Sequence, residues 1–237
     1  MNYISNADLQ LHRRAQDVAR KVLTEIQTVI GVAATEATLA RACRRLMDAA
    51  GATEYWWYTT PAYVLAGGNL RLSVEGDAYV PRDEAIGLDG MITIDLHPEI
   101  DGRWGDCARS FFLRGGEVVT PETAGEEEAE GMAAEAALHA LVQAKARPDM
   151  TFRELHSLVN GELARLGYEN LDFLGNFGHS IGADVANRSF IDADCSRRLD
   201  STPLVTFEPH IAKPGRPLAF KYEEVYRFDE AGRLRLL

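Results

Sequence analysis

The stretch MITIDLHPEIDGRWGDCARSFF, residues 91–112, has the pattern of two antiparallel strands joined by a turn. Its first arm, residues 91–94, consists of the apolar and β-branched residues that strands prefer. Asp101 and Gly102, in the middle, form a typical turn sequence. Each arm nevertheless carries a carboxylate, Asp95 in the first and Asp106 in the second. Two acids are unexpected in a hairpin that is predicted to lie in a hydrophobic core, and their presence requires an explanation.

Burying an unpaired carboxylate is costly, so a buried acid normally has a cation, hydrogen-bond donors or a metal ion beside it. One interpretation is purely structural: Asp95 pairs with Arg109 or a turn amide, while Asp101 and Asp106 are solvated turn residues. The other interpretation is a metal site. The hairpin alone leaves both open.

The chain of 237 residues has an ordinary globular composition, with 46% hydrophobic and 26% charged residues. Its length suffices for one sizeable core or two small ones. The formal net charge of −11 argues against nucleic acid and anionic membranes as partners, because both repel an acidic surface. We therefore expect neither kind of partner.

Cysteine usage and the N-terminal sequence indicate a location in the cytoplasm. Cys43, Cys107 and Cys195 are far apart, odd in number and without a CxxC pair, so neither a disulfide framework nor a zinc ribbon is indicated. The first twenty residues are too polar for a signal peptide. No apolar run approaches the ~18 residues of a membrane-spanning helix.

Apolar periodicity and capping residues predict helices. Residues 5–29 have an amphipathic pattern, and residues 35–50 form a second helix. Thr151 and Glu154 form a capping box for a later helix that ends near Gly167.

A short internal echo relates the two parts of the chain. The threonine, leucine and glycine of one predicted helix recur with the same spacing in another: Thr35, Leu39 and Gly51 correspond to Thr151, Leu155 and Gly167. In both copies a helix precedes strands that carry acidic residues. The echo predicts two similar α+β halves facing each other within a single domain over residues 1–237, with a ligand site at their junction.

The second half contains further candidates. His179 lies in NFGHSIG, whose glycines allow close approach of the backbone. Glu208 follows an apolar strand. Glu223 and Glu224 lie in the strand LAFKYEEVYRF, where alternation puts Lys221 and Glu223 on one face and Glu224 on the other. Only one of the two glutamates can therefore face a site.

These candidates together favour the metal interpretation, although each alone has a structural explanation. Four carboxylates and one imidazole suit two divalent cations such as Mn, Fe, Co or Zn. Without metal, clustered carboxylates would repel one another and resist ionisation. The two acids of the hairpin are thus predicted to face a metal pair.

The motifs resemble those of the family that includes methionine aminopeptidase, Xaa-Pro aminopeptidase, prolidase and creatinase. The family's IDxG, DxxRxF, GHxIG, apolar-Glu-Pro and final Glu patterns have counterparts in the same order: Ile94-Asp95-Leu96, Asp106-Cys107-Ala108-Arg109-Ser110-Phe111, Gly178-His179-Ser180-Ile181-Gly182, Phe207-Glu208-Pro209 and Glu223-Glu224-Val225. The resemblance covers nearly the whole chain. It implies the pita-bread fold, an α+β fold of two pseudo-symmetric halves that enclose a metal site.

The resemblance also implies roles for individual residues. Two divalent ions (Mn, Co, Fe or Zn) would be bound by five ligands: Asp95, Asp106, His179, Glu208 and Glu223. Alignment of the final motif makes Glu223 the ligand rather than Glu224. Glu208 would accept or relay a proton, and Arg109 would orient a ligand carboxylate.

The sequence departs from the peptidase pattern at two substrate-side histidines. Ala186 occupies the position seven residues after the GHxIG histidine, and an ungapped count puts Asp77 at the other position. His97 or His210 could supply the missing donor, because each lies two residues after an acidic ligand. A structural role for either histidine remains open.

The resemblance implies a two-metal hydrolase that cleaves an amide C–N bond of a short peptide or of a peptide N-terminus. One alternative is hydrolysis of a small non-peptide amide or amidine, as in the creatinase branch. Another is a non-catalytic relative that binds proteins. Homodimerisation is left open. The remaining histidines, His12, His139 and His156, lie on predicted helices and are expected at the surface.

Overall fold

The computed structural model describes residues 4–182 and 184–237. Its helices are α1 Asn6–Glu25, α2 Glu36–Ala49, α3 Pro121–Ala124, α4 Glu126–Lys145 and α5 Phe152–Leu166. Its strands are β1 Glu54–Tyr55, β2 Ala62–Ala66, β3 Gly90–Leu96, β4 Pro98–Ile100, β5 Arg103–Trp104, β6 Cys107–Arg114, β7 Glu117–Val119, β8 Glu169–Asn170, β9 Ser180–Ile181, β10 Leu204–Phe207, β11 His210–Ala212, β12 Phe220–Lys221, β13 Glu224–Phe228 and β14 Leu234–Leu236.

The strands form small antiparallel sheets that divide between the two parts of the chain. The first part contains the sheets β2-β3-β6-β7 and β1-β4-β5, and the second contains β14-β13-β10-β9 and β12-β11-β8. Helices α1 and α2 accompany the first pair of sheets, and α4 and α5 accompany the second. Two α+β halves result, as the internal echo predicted.

Strands β3 and β6 form the hairpin predicted from residues 91–112. Asp95 pairs with Ala108 in the register of the two strands, and β3 is buried along nearly its whole length. The connection differs from the predicted simple turn, because it folds into β4 and β5, which pair with each other and with β1. Asp101 and Gly102, with φ of 50° and 72°, make the tight turn between β4 and β5.

The helix starts confirm the predictions from capping residues. The side chain of Ser5 accepts a hydrogen bond from the Asp8 N–H at the start of α1. Thr35 and Thr151 each form a complete capping box, at the starts of α2 and α5. Helix α5 ends at Gly167, which adopts a left-handed conformation with φ of 79°.

Each half has its own hydrophobic core. Val22 of α1 and Leu39 of α2 belong to one buried cluster with Ile94 of β3, all fully inaccessible. Leu138 of α4 and Phe152 of α5 belong to another cluster, together with residues of the second-half sheets. Burying one such side chain is worth roughly 1.5–3 kcal/mol, so the two clusters fix how the helices lie on their sheets.

All three cysteines are free, and Cys43 and Cys107 are buried. Within residues 4–182 and 184–237, the helices lack the combination of length and apolar character needed to cross a membrane.

The expectation that the helical histidines lie at the surface is wrong for His12 and His139. Their exposed fractions are 1% and 5%. One ring nitrogen of His12 lies 2.8 Å from the Trp104 carbonyl. His139 accepts a hydrogen bond from the Tyr226 hydroxyl at 2.6 Å and donates one to the Tyr222 carbonyl at 2.9 Å. Both imidazoles are buried because specific partners satisfy their polar atoms.

Helix α4 also buries an acid. Glu135 is fully buried, and neither carboxyl oxygen has a hydrogen-bond partner among the described residues. One turn earlier, Gly131 faces Phe220 so closely that an added Cβ would lie 2.3 Å from its ring. Burial raises the pKa of Glu135 well above its usual value. The acid is therefore a source of instability at neutral pH.

Replacing Glu135 with Met should stabilise the protein by about 1–3 kcal/mol at pH 7, since an unsatisfied buried polar group costs about that much. A carboxyl whose pKa is raised by folding adds stability below its unfolded pKa, and this contribution is lost as pH rises. The gain should therefore grow between about pH 4.5 and pH 7. Urea unfolding curves at both pH values measure it. The exposed Glu126→Met on the same helix is the control, and a Glu135→Met protein no more stable than wild type would contradict the prediction.

Candidate metal centre

Two acids of the site come from the first half. Asp95 lies in β3, and Asp106 directly precedes β6. The backbone of Asp106 is fixed to α1 by Gln16, whose amide nitrogen donates to the Asp106 carbonyl and whose amide oxygen accepts from the Asp106 N–H, both at 2.9 Å. The exposed fractions of Asp95 and Asp106 are 4% and 2%. Asp106 is thus no solvated turn residue.

His179 comes from the second half, on a loop held by a close backbone approach. Gly178 has φ of 132°, and a Cβ there would lie 2.3 Å from the Thr206 carbonyl oxygen. The His179 Nδ1–H donates to the Ser180 carbonyl at 3.1 Å, so the neutral ring presents the lone pair of Nε2 to the site. This nitrogen lies 3.4 Å from Asp106 Oδ2 and 3.6 Å from Glu208 Oε1. Ligating histidines commonly have this arrangement.

Glu208 and Glu223 complete the group of predicted ligands. Glu208 follows β10, and its N–H donates to the Phe177 carbonyl at 3.0 Å. Glu223 lies between β12 and β13, and its Oε1 accepts a hydrogen bond from the Thr206 hydroxyl at 2.8 Å. The Glu223 N–H donates to the Ala108 carbonyl at 3.1 Å, which joins the two halves beside the acids.

Glu224 points away from these ligands. Its carboxylate accepts hydrogen bonds from Arg20 at 2.6 Å and from Gln16 at 3.2 Å, and it pairs with Arg109. Burial would raise the pKa of Glu224, but the two arginines outweigh it and lower the pKa. Of the two adjacent glutamates, the structure brings Glu223 into the cluster.

The site also holds a cation that the sequence analysis did not assign to it. The Lys221 ammonium donates to Asp95 Oδ2 at 2.5 Å and to Glu208 Oε2 at 3.0 Å. Burial alone would lower the pKa of Lys221, but these two acids raise it well above its usual value. The sequence did contain a signal for this position: the alternation of side chains along the strand puts Lys221 on the same face as Glu223.

The donor set fits divalent cations. Asp95 Oδ1 and Glu223 Oε2 are buried without a hydrogen-bond partner in the described part of the chain, which is costly unless something binds them. Ligand atoms of Asp95, Glu208 and Glu223 lie within 4.8 Å of one another, and so do those of Asp95, His97 and Asp106. Carboxylate oxygens and imidazole nitrogens are the ligands that Mn, Fe, Co and Zn accept.

The pKa shifts of the clustered groups also indicate that the site fits divalent cations. Burial raises the pKa of Asp106, Glu208 and Glu223, and repulsion from neighbouring carboxylates adds to the effect. Burial would also raise the pKa of Asp95, but Lys221 outweighs it and lowers the pKa. Burial lowers the pKa of His179 well below its usual value, so its ring is neutral. The carboxylates thus repel one another despite the nearby charges of Lys221 and Arg188, and cation binding would relieve this repulsion.

Arg109 does not play the part that the resemblance implied. Its guanidinium donates to the main-chain carbonyl of Glu223 at 2.8 Å and pairs with the side chain of Glu224. Among the described contacts it reaches no carboxylate of the five predicted ligands. The alternation of the strand explains the difference, because the side chain of Glu223 faces away from Arg109. Arg109 positions the Glu223 backbone instead.

His97 and His210 both line the site, but each donates its N–H to a backbone carbonyl. Nδ1 of His97 donates to the Thr60 carbonyl at 3.0 Å, and Nε2 lies 3.4 Å from Asp95 Oδ1. Nε2 of His210 donates to the Leu70 carbonyl at 2.8 Å, and burial lowers the pKa of His210 to about 4. A carbonyl only accepts hydrogen bonds, so a neutral ring in either place has no N–H left for a substrate. A donor role for either ring would therefore require the imidazolium form, in which both nitrogens carry a proton.

A cavity of about 230 Å³ opens over the cluster. Its wall includes Trp56, Trp57, Phe190 and Arg188 besides the acids and histidines. Trp56 lies edge-on to His179 with ring centroids 5.4 Å apart, so aromatic side chains help to hold this histidine. The cavity is below the about 300–1,000 Å³ of typical drug-sized ligand sites, which favours a small substrate.

Comparison with known proteins yields one family. The model of metallopeptidase family M24 matches residues 10–230. No curated protein matches the chain.

Solved structures share the fold over almost the whole chain. An X-Pro aminopeptidase from Thermotoga maritima MSB8 superposes with a TM-score of 0.80 at 18% identity, covering 98% of this chain and 61% of that one. A prolidase from Pyrococcus furiosus gives 0.77 at 19% identity, with coverage of 98% and 64%. An Xaa-Pro dipeptidase from Bacillus anthracis gives 0.79 at 17% identity, with coverage of 98% and 60%. The chain thus spans less than two thirds of each, and the predicted pita-bread α+β fold is confirmed.

Proposed function

This chain belongs to metallopeptidase family M24, and from that membership we propose that it is a metal-dependent hydrolase that cleaves an amide C–N bond of a short peptide. The observation that carries the proposal is a cluster of ligand atoms: those of Asp95, Glu208 and Glu223 lie within 4.8 Å of one another, and His179 Nε2 lies 3.6 Å from Glu208 Oε1. In this cluster, one carboxylate oxygen of Asp95 and one of Glu223 are buried without a hydrogen-bond partner among the described residues. X-Pro aminopeptidase, prolidase and Xaa-Pro dipeptidase are the relatives in fold.

We propose two divalent ions, with Mn, Co, Fe and Zn as candidates. The ligands would be Asp95, Asp106, His179, Glu208 and Glu223. When bound, such ions lower the pKa of a water molecule and polarise a carbonyl. Lys221 would keep its contact with Asp95 and Glu208 and balance part of their charge.

Glu208 is the proposed proton acceptor. Its side chain is 20% exposed, whereas Asp106 and His179 beside it are 3% and 5% exposed, so it lies nearest the substrate cavity. Burial raises its pKa, which brings the carboxylate closer to the range in which it can both take and return a proton.

His97 and His210 stay as candidate donors, and His97 is favoured because Nε2 lies beside Asp95.

Removing metal with a chelator should abolish hydrolysis, and Mn or Co should restore it. A panel of free dipeptides, methionyl peptides, Xaa-Pro peptides and small N-acyl amino acids, assayed for released amine, identifies the substrate class. We expect small substrates to be turned over better than longer peptides, because the cavity measures only about 230 Å³.

His97→Ala is compared with wild type on the best substrate, and a fully active variant would remove His97 as donor. Hydrolysis that resists the chelator would contradict the proposal.

A small non-peptide amide is the second candidate substrate. The cavity volume and Ala186, which stands where peptidase relatives have a histidine, favour it. A non-catalytic protein-binding role is disfavoured, because all five ligand residue types are present and brought together. We also propose a cytoplasmic location, since the three cysteines are unpaired.

A further inference from the structure

Residues 70–74 belong to the first half of the chain but are attached to the second half, and we call them the bridging segment. Leu70 is 3% exposed and packs in the core cluster of the second half. Its carbonyl accepts the hydrogen bond from His210 Nε2 at 2.8 Å. Three residues later, the Ser73 hydroxyl accepts a hydrogen bond from the Phe173 N–H at 3.1 Å. The bridging segment therefore contacts the second half at both of its ends.

Arg71 fixes the middle of the bridging segment to two further elements of the second half. Its Nη2 pairs with Oε1 of Glu169, in β8, at 2.6 Å. Its Nη1 donates to the Arg216 carbonyl at 2.9 Å and lies 3.5 Å from the Lys213 carbonyl, in the connection between β11 and β12. The fork of donors on a guanidinium can serve several acceptors at once, which an ammonium does less well. One side chain thus holds the segment against both elements.

The bridging segment is also a wall of the substrate cavity. Its residues Leu72, Ser73 and Val74 line the cavity, and Phe173 and Leu174 of the second half line it too. The hydrogen bond between Ser73 and Phe173 therefore joins two walls of the same cavity. The segment lies outside the helices and strands, so side-chain contacts rather than a strand ladder set its position. Whatever holds the segment in place limits the length of substrate that the cavity accepts.

We infer that Arg71 is a positioning residue that holds the bridging segment over the cavity and makes the enzyme select short substrates. Arg71 itself lies outside the cavity wall, so it acts through Leu72 and Val74 without touching substrate. Its ion pair with Glu169 is partly exposed, at 33% and 43%, and such a pair adds little to overall stability. Losing it should therefore loosen the segment locally and leave the core intact. The inference rests on the proposed function and names what sets its substrate size.

Uncleavable probes of two lengths test the inference without turnover. Acetohydroxamate is the short probe and triglycine hydroxamate the long one, because a hydroxamate binds a divalent ion through two oxygens. Both are titrated by calorimetry into the Mn-loaded full chain. In Arg71→Met, affinity for the long probe relative to the short one should rise about 2–10-fold over wild type, the range that one hydrogen bond carries. In assays, kcat/KM for tripeptides relative to dipeptides should rise likewise, through KM, because the proposed metal ligands are untouched.

Hydrogen exchange measures the attachment of the segment directly. Mass spectrometry of the metal-free chain follows the backbone amides of residues 70–75 and 171–175, which include the Phe173 N–H that donates to Ser73. In Arg71→Met these two stretches should exchange faster, and the core strands should exchange as in wild type. Arg71→Lys keeps a charge near Glu169 but not the fork of donors, so it should restore part of the preference for the short probe.

Arg114→Met is the matched control. The Arg114 side chain is 34% exposed, pairs with Glu128 and donates to the Ala124 carbonyl at 2.8 Å, but it lies outside the cavity wall. It should keep the wild-type ratio of probe affinities. An Arg71→Met protein with that same ratio would overturn the inference, and so would exchange that accelerates throughout the chain. A protein that cleaves no amide but shows the Arg71-dependent change in probe preference would overturn the proposed function alone.

Discussion

Alanine in place of Asp106 or Glu223 is expected to remove most of the bound divalent metal. Asp106 is 2% exposed and Glu223 is fully buried, so water cannot replace the lost carboxylate easily. Asp106 comes from the first half and Glu223 from the second, and the resemblance to the family implies that each would serve two ions at once. Affinity for Mn should fall at least ~100-fold, since even partners that merely hydrogen-bond to ligands contribute about 10–100-fold. Calorimetric titration and elemental analysis of the reloaded protein measure the change.

Glu224→Gln is the control for these variants. Glu224 is as deeply buried as Glu223, but its carboxylate faces Arg20 and Arg109. Gln keeps a hydrogen-bond acceptor there, whereas alanine would leave two arginines without their acid and could unfold the protein. The control should bind metal like wild type, with a lowered melting temperature. Unchanged metal content in both Asp106→Ala and Glu223→Ala would contradict the assignment of the site.

Features set by local chemistry were predictable from the sequence. The capping boxes at Thr35 and Thr151 depend on residues three positions apart, so the helix starts could be predicted without tertiary information. The side-chain alternation that separates Glu223 from Glu224 is likewise a property of one strand. The sequence pattern alone does not show that distant motifs meet at one site. The resemblance to a known family implied that they do.

Features set by contacts between distant segments were missed. His139 was expected at the surface because it lies on a predicted helix, and only the fold shows that Tyr222 and Tyr226 satisfy its two nitrogens. Arg109 was expected to orient a ligand, but its partner turned out to be Glu224. Side-chain alternation puts Lys221 on the same strand face as Glu223, but only the fold shows that its ammonium contacts Asp95 and Glu208. Arg188 had no sequence signal, since its place in the cavity wall depends on contacts with Trp56 and His179.

His179→Ala is expected to lower turnover at least ~100-fold while the fold persists, again by comparison with the about 10–100-fold cost of losing a partner of a ligand. The imidazole is 4% exposed, and Nε2 is its only atom directed at Asp106 and Glu208. Its loss should weaken the ion near these two acids and spare the other, so metal content should drop by about half of the amount lost in Asp106→Ala. Steady-state assays, elemental analysis and circular dichroism together separate these effects.

His156→Ala is the matched control for this last variant. His156 also contacts a backbone carbonyl, that of Gly175 at 3.2 Å, but lies on α5 away from the acids. It should retain both activity and metal.

Removing the ring of His179 also leaves a gap beside Trp56 and Trp104, so some loss of thermal stability is expected. That loss of thermal stability should persist when metal is removed from both proteins. A His179→Ala protein with wild-type turnover would show that the GHxIG histidine is not a ligand, and the convergence that carries the proposed function would lose its central member.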